Sequence, residues 1–285
     1  MKLYPIEAGN FKLDGGSMFG VVPKVIWQKT NPADSNNQID IASRCLLIEN
    51  DNRLILIDTG MGNKQSQKFF SHFNPWGEFS LESSLHKIGF GLNDITDVFL
   101  THLHFDHVGG ATYRDKNGGI STLFPEAKYW TNKSHWDWAI NPNDREVASF
   151  LEENLSPLEE SGQLNFVNLK KENPIATDEL PFQIFTMDGH TEKQMLPCLQ
   201  YQDKTIVFMA DLLPTTGHIP LPYVMGYDTR PLQTLKEKKL FLEQAATNNW
   251  YLFLEHDAHN QVITVKNTKK GVRLNKSYTF NEIFN

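Results

Sequence analysis

The sequence predicts an α/β fold, on three observations. Short apolar runs with strand-like alternation, such as Phe182-Gln183-Ile184-Phe185-Thr186, recur between longer stretches that look helical. Several of these runs end in Asp or His beside a turn, as in Asp58-Thr59-Gly60 and Asp188-Gly189-His190. Composition is that of an ordinary globular chain, with 40% hydrophobic and 21% charged residues over 285 positions. A chain this long buries a substantial core without disulfides. No internal repeat, low-complexity tract or clear linker divides it, so residues 1–285 read as a single domain.

The elements follow in order. Residues 1–31 mix strand signals with Gly9, Gly15-Gly16 and Gly20. Two readings stand side by side: a surface hairpin, or a flexible flap carrying Met18 and Phe19 over a pocket. Residues 31–37 are polar and turn-rich. Strands at 41–49 and 53–57 flank the hairpin signal Asn50-Asp51-Asn52. Helices are expected at 64–73 and 80–89, interrupted by Asn74-Pro75-Trp76-Gly77. A strand follows at 96–100, and another at 128–131. Ser134 caps a helix that includes Trp136 and Trp138. Asn143-Asp144 opens a helix to about residue 155, which Pro157 ends or kinks. Strands at 164–169 and 182–186 precede a hairpin of 195–201 and 205–210 across Gln202-Asp203-Lys204. Pro231 lies in the first turn of a helix running from Thr229 to about 248. An apolar strand at 251–254 and a strand pair within 261–280 complete the chain.

Bulk properties narrow the function classes. The formal net charge of −7 argues against a nucleic-acid partner, because binding to phosphate leans on Lys and Arg. No run approaches the ~18 consecutive apolar residues of a membrane span, so no membrane partner is expected. Pro5 and Glu7 interrupt the start, which lacks the apolar core of a secretion signal. Cys45 and Cys198 lie far apart in apolar runs and read as buried thiols, compatible with a reducing, cytoplasmic compartment.

One stretch carries chemistry. In Thr101-His102-Leu103-His104-Phe105-Asp106-His107-Val108-Gly109-Gly110, three histidines and an aspartate fall within six positions behind an apolar strand. Imidazole and carboxylate are ligands of zinc and its borderline neighbours. Residues i and i+2 of an extended segment project to one side, so His102 and His104 can grip one ion. A turn after them can swing Asp106 and His107 onto a second. His190, Asp211 and His256 also stand at or just beyond the ends of apolar strands. Strand ends at one rim come close in space. The other histidines (His72, His86, His135, His218, His259) read as solvated or structural, with His218 the one to watch because it follows Asp211 closely. Asp58, taken alone, reads as a turn residue, with support of the site as the alternative.

The order His-x-His-x-Asp-His, then His190, Asp211 and His256, resembles the metallo-β-lactamase superfamily of hydrolases. The resemblance extends from Asp58-Thr59-Gly60 to His256. It implies a four-layer αβ/βα sandwich with a two-metal site at one edge. It further implies that His102, His104 and His190 hold one metal, that Asp106, His107 and His256 hold the other, and that Asp211 bridges them. Two divalent ions are implied, zinc first, with manganese, cobalt or iron(II) as alternatives. Five neutral imidazoles and two carboxylates give −2 against +4 from two such ions. A bridging hydroxide leaves the cluster positive, available at neutral pH because metals lower the pKa of water towards ~7. The residual charge stabilises a developing oxyanion. Asp106 can orient the hydroxide and relay a proton to the leaving group.

Within the superfamily, Asp211 at the bridging position is unlike the Cys or Ser of true β-lactamases. His104 stands where flavodiiron proteins carry a glutamate. The C-terminal strands differ from the helical, basic region of glyoxalase II. His102-Leu103-His104-Phe105-Asp106-His107 resembles the motif of N-acyl homoserine lactonases, which implies quorum quenching as the role and a small substrate with an apolar portion. Phe69, Phe70, Trp76, Trp136 and Trp138, with the Met18-Phe19 flap, are candidates to line an acyl pocket; each taken singly reads better as packing. The chain departs from that branch at Pro214, where many lactonases have a substrate-contacting tyrosine. His218, Tyr223 and Tyr227 are the candidate replacements, the first two carried as catalytic residues with Asp106. Asp228, in Tyr227-Asp228-Thr229-Arg230-Pro231, reads as the cap of the following helix. Asp58 now reads as a support of the metal site. An organophosphate or aryl-ester hydrolase is the nearest alternative. A metal-binding or sensing protein without significant catalysis, and a two-iron redox protein, are alternatives of other classes. A homodimer is kept open.

Overall fold

The computed structural model describes residues 1–170 and 172–284. They form two compact units. The first comprises Met1–Asn10, Ser43–Glu172 and Thr177–Pro181, and the second Phe11–Ala42, Asn173–Ala176 and the chain from Phe182 onward.

The first sheet contains β1 (Lys2–Asp14), β2 (Gln38–Asn50), β3 (Arg53–Ile57), β4 (Asp97–Phe99), β7 (Lys128–Thr131) and β8 (Leu164–Phe166), paired in that order. β5 (Thr112–Arg114) and β6 (Ile120–Thr122) form a separate ribbon. β2 and β3 are antiparallel, as the Asn-Asp-Asn hairpin signal predicts. β3, β4, β7 and β8 then run parallel, so their C-terminal ends share one edge. The second sheet, wholly in the second unit, contains β9 (Ile175–Ala176), β10 (Gln183–Met187), β11 (Gln194–Tyr201), β12 (Lys204–Phe208), β13 (Tyr251–Phe253), β14 (Val262–Thr268) and β15 (Gly271–Tyr278) in sequential order. β12 and β13 are parallel, and the remaining pairs are antiparallel. Each unit has its own core. Leu47, Leu56, Val98, Leu100 and Tyr129 anchor the first. Leu196, Val207, Phe241, Leu252 and Ile263 anchor the second. Apolar side chains leave water in both, which is the main stabilising term of each unit.

Four expectations are corrected. Residues 2–14 form one long strand rather than a hairpin, followed by a short helix, Gly15–Phe19. Met18 and Phe19 are buried in that helix, not carried on an exposed flap. Phe19 stacks between Trp27 (centroids 5.3 Å) and His218 (4.3 Å), and burying its ring favours this over exposure. The helix expected from Asn143 starts only at Glu152 and runs to Glu160 with Pro157 inside it. The Asn143 side chain accepts from the backbone N–H of Arg145 (2.9 Å) and Glu146 (3.2 Å), a local turn that competes with helix. The cap of the helix Lys133–Ile140 is Asn132, not Ser134, its side chain accepting from His135 N–H.

Candidate metal centre

In the first unit the parallel pairing of β3 and β4 sets Ile57 opposite Phe99. The two chains therefore leave the sheet side by side, one into Asp58 and the other into Thr101-His102. Asp58 turns with φ +57°, a conformation that Asp tolerates better than most residues. Fully buried, it accepts from Thr101 N–H (2.8 Å), Thr101 Oγ1–H (2.6 Å) and His107 Nδ1–H (3.0 Å). Asp58 thus holds the backbone and hydroxyl of Thr101 and the ring of His107 in place. Since Thr101 gives its hydroxyl proton to Asp58, its oxygen faces His102 Nδ1 (3.1 Å) as an acceptor. Both His102 and His107 then carry their proton on Nδ1 and present a lone pair on Nε2.

The rings of His102, His104 and His107 cluster, with centroids 4.6 Å apart for 102–104 and 3.9 Å for 102–107. Possible ligand atoms of His102 and His104 lie within 4.8 Å of each other, as do those of Asp106 and His107. The Gly-Gly after the motif has a steric cause. A Cβ on Gly109 would lie 2.1 Å from Met61 O, and one on Gly110 2.2 Å from Thr59 O. That close approach lets Thr59 N–H reach His107 O (2.9 Å) and Gly110 N–H reach Gly60 O (2.9 Å).

The second unit repeats the device. β12 and β13 are parallel, with Phe208 opposite Phe253, so Asp211 and His256 emerge next to each other. β10 is antiparallel to β11 and β11 to β12, so β10 runs parallel to β12 and delivers His190 to the same edge. One oxygen of Asp211 faces His190 Nε2 (3.1 Å) and the other faces His256 Nε2 (3.0 Å). On the far side of each ring, His190 Nδ1 meets Asp228 Oδ1 (2.9 Å) and His256 Nδ1–H donates to Ala42 O (2.8 Å). Burial disfavours the imidazolium of His190, but the Asp211 and Asp228 carboxylates override it and push its pKa up to about 10. Asp228 therefore holds His190 rather than capping the helix Pro231–Asn248. The N-cap there is Arg230, without a side-chain bond.

These contacts test whether cations fit. A backbone carbonyl only accepts, so His256 Nδ1 bears the proton and Nε2 points a lone pair at a carboxylate oxygen 3.0 Å away. Two acceptors at that distance require a proton or a cation between them. Imidazole nitrogens fixed by far-side acceptors, together with carboxylates, form a donor set suited to zinc, manganese, cobalt or iron(II). The residues fit divalent ions.

The structure thus brings His102, His104, Asp106 and His107 together in one unit, and His190, Asp211 and His256 in the other. No motif marks Thr101 or Glu146 as a partner of the site in the sequence, and the local pattern at Asp228 is that of a helix cap. Glu146, 2% exposed, accepts from Trp138 Nε1–H (2.7 Å) and Asn143 Nδ2–H (2.6 Å) and lies 3.3 Å from His104 Nε2. Glu146 stands 42 residues from His104, in a stretch with no sequence signal of its own.

His218 is buried, with both ring nitrogens engaged. Nε2–H donates to Met18 O (2.8 Å), and Nδ1 accepts from Thr215 Oγ1–H (2.8 Å). That geometry ties His218 to the surrounding chain and leaves it no N–H for a substrate. Tyr223, half-buried, has no hydrogen bond to its hydroxyl among the described residues, while its carbonyl is held by Lys238 Nζ (2.6 Å). Lys238 also donates to His218 O (3.0 Å), so one buried ammonium fixes both ends of this segment. Of the candidate pocket aromatics, Trp136 packs in the core and Trp138 is bonded to Glu146. Phe69 lies against Phe105, the residue between His104 and Asp106 (5.4 Å). His72, His86 and His259 are exposed.

Comparison with known proteins agrees with this geometry. The sequence pattern of the metallo-beta-lactamase superfamily matches residues 40–256. The N-acyl homoserine lactonase AiiB of Agrobacterium fabrum is 31% identical over 125 residues, covering 41% of this chain and 45% of that protein. The chain thus spans less than half the length of this curated relative. A crystal structure described as a "probable metal-dependent hydrolase" from Staphylococcus aureus superposes with TM-score 0.84 at 27% identity, covering 98% of both chains. AidC, a dizinc quorum-quenching lactonase solved with the product N-hexanoyl homoserine, superposes with TM-score 0.78 at 25% identity, covering 97% of this chain and 95% of AidC.

Proposed function

We infer function from one premise: the chain belongs to the metallo-beta-lactamase superfamily. We propose that it is a two-metal hydrolase that opens N-acyl homoserine lactones. The observation that carries the metal part is the carboxylate of Asp211, faced through one oxygen by His190 Nε2 and through the other by His256 Nε2. The lactone part rests on the likeness to AidC across nearly the whole chain and on the partial match to AiiB.

In this reading His102, His104 and His190 would hold one ion, Asp106, His107 and His256 the other, and Asp211 would serve both. Bound there, the ions would act as Lewis acids and make water nucleophilic at neutral pH. The chain's own residues do the rest. Asp58 and Thr101 keep the ligand tautomers of His107 and His102, and Asp228 orients His190. Asp106 would take a proton from the attacking water and pass it to the alkoxide released as the ring opens. Tyr223, whose hydroxyl has no protein partner among the described residues, donates to the lactone carbonyl oxygen in place of the tyrosine that Pro214 excludes. Phe69 and Phe105 offer an apolar wall to the acyl chain. Buried Cys45 and Cys198, neither in a disulfide, suit a reducing, cytoplasmic setting.

The test is a substrate panel on protein reconstituted with zinc, manganese or cobalt. It covers acyl homoserine lactones of short and long chain, phosphotriesters, aryl esters, S-lactoylglutathione and a β-lactam. The expected result is two metals per chain and highest kcat/KM on the lactones. Phosphotriesters or aryl esters turned over much faster would transfer the assignment to that chemistry. Protein that neither takes up metal nor hydrolyses any of these would overturn it altogether. Tyr223→Phe should lower kcat by about 100-fold, the effect of losing one oxyanion donor, with metal content unchanged. A rate equal to wild type would remove Tyr223 from the site.

A further inference from the structure

We propose that Lys238 is a positioning residue: its ammonium is a tethered cation that folds residues 218–223 and so aims the Tyr223 hydroxyl at the substrate. The inference rests on the reading of Tyr223 above. After the short helical turn Thr216–His218 the chain has neither helix nor strand until Pro231. Pro220 and Pro222 remove two N–H donors from this stretch. Its buried carbonyls must find donors elsewhere, because leaving them unpaired is costly. Three of them converge on Lys238 Nζ: His218 O at 3.0 Å, Pro220 O at 3.4 Å and Tyr223 O at 2.6 Å. An ammonium has three N–H donors, one for each.

The Lys238 side chain is 1% exposed, and among the described residues no carboxylate forms an ion pair with it. Its charge is met by the three carbonyl dipoles, with Asp228 attracting it from farther away. Burial pushes its pKa down to about 8, which still leaves it protonated at neutral pH. For packing alone, an apolar side chain of the same length would fill this space without desolvating a charge. What the ammonium adds is convergence, since it draws carbonyls five residues apart to one point. Tyr223 N–H closes the turn between them on Pro220 O (2.9 Å). The Tyr223 ring meets Phe19 edge-on (6.4 Å, 85°), and Phe19 is stacked on His218. Backbone and ring of Tyr223 are therefore both held, and its hydroxyl is the end left for a substrate. The neighbouring Glu237 makes the converse grip, accepting from Asp188 N–H (2.9 Å) and Gly189 N–H (3.0 Å) beside His190. Adjacent and opposite in charge, Glu237 and Lys238 each hold a loop rather than each other.

Variants of the zinc-reconstituted protein test this on whichever panel substrate it turns over fastest. Lys238→Ala should lower kcat roughly 10–100-fold, the scale of misplacing a reacting group by about 1 Å, with KM and zinc content near wild type. Methylammonium should raise the kcat of K238A several-fold, because the vacated space takes a free cation. Lys238→Met fills that space, so it should lose kcat without rescue. In a Tyr223→Phe background K238A should cost little more, since a positioning residue acts through the group that it aims. Hydrogen exchange read by mass spectrometry should quicken at residues 218–226 in K238A and K238M, and not at residues 102–110. Wild-type kcat in K238A would overturn the proposal. So would equal losses with and without the Tyr223 hydroxyl, zinc lost in step with turnover, or no rescue at any methylammonium concentration that wild type tolerates. If K238A does not fold, K238M carries the kcat, zinc and exchange comparisons. If neither folds, nitrogen-15 NMR of wild type decides: an ammonium held by three carbonyls exchanges its protons slowly, and one in rapid exchange would overturn the proposal. Wild-type turnover in Y223F would instead sink the reading of Tyr223. Lys238 would then be judged by whether loss of kcat accompanies the loosening of residues 218–226.

Discussion

Asp211→Asn is expected to lower kcat/KM roughly a thousandfold, about 4 kcal/mol of transition-state stabilisation, and to cut metal content to at most one ion per chain. The substitution preserves the outline of the side chain, so the loss is chemical. Asp211 presents an oxygen to His190 Nε2 at 3.1 Å and another to His256 Nε2 at 3.0 Å. Asparagine replaces one of these oxygens with an N–H donor. Whichever way the amide turns, one histidine lone pair is captured by that N–H instead of a cation. A negative charge is lost as well. In the metal-free variant the pKa of His190, held near 10 by Asp211 and Asp228 against burial, should therefore fall. NMR titration of that histidine checks the electrostatics independently of turnover. Asp211→Asn combined with His256→Gln should be little worse than the more damaging single change, because groups acting on one ion as a unit are not additive. Wild-type metal content and rate in D211N would show that Asp211 serves neither ion.

Much of this centre is legible in the sequence for a physical reason. Parallel strands end at one edge, and the apolar runs that mark strands also mark where they stop. Asp58 with His102, and Asp211 with His256, are two instances of one device: adjacent parallel strands, β3–β4 in one unit and β12–β13 in the other, each pair handing an aspartate and a histidine to one edge of its own sheet. No internal sequence repeat announces this, since the equivalence lies in backbone pairing. The far-side partners are harder to read. Asp228 lies 38 residues after His190, and Glu146 lies 42 after His104, on turns whose direction depends on side-chain bonds such as those of Asn143. Local pattern favours helix at Asn143 and a cap at Asp228; the local Asn143 turn overrules the first and the tertiary contact with His190 the second. The apolar pair Met18 and Phe19 signals burial or a binding surface equally well, because pattern names a face without naming what covers it. The Trp27 and His218 rings settle the matter for Phe19.

His218 itself should make folding sensitive to mild acid. Burial pushes its pKa down to about 4 from the ordinary 6.5. The Lys238 charge adds to that push, while Met18 O, Asp211 and Asp257 oppose it. The hydrogen bonds agree with a neutral ring: Nε2–H is spent on Met18 O, and Nδ1 accepts from Thr215, whose oxygen also receives Asn31 Nδ2–H at 3.3 Å. A second ring proton would oppose the Thr215 hydroxyl. Between pH 4 and 6.5 the unfolded chain holds this proton and the folded chain does not, so acidification favours unfolding. The contribution to stability is fully present above pH 6.5, is lost as pH falls towards 4, and changes no further below. By linkage, wild type should lose roughly 2–3 kcal/mol more than His218→Gln on going from pH 7.5 to pH 4.5. Urea denaturation of both metal-free proteins at the two pH values measures this, since the remaining histidines and carboxylates titrate alike in each. Parallel losses in the two proteins would mean that His218 is readily protonated in the folded state, and its engagement with Met18 and Thr215 would then be too weak to hold the segment bearing Tyr223.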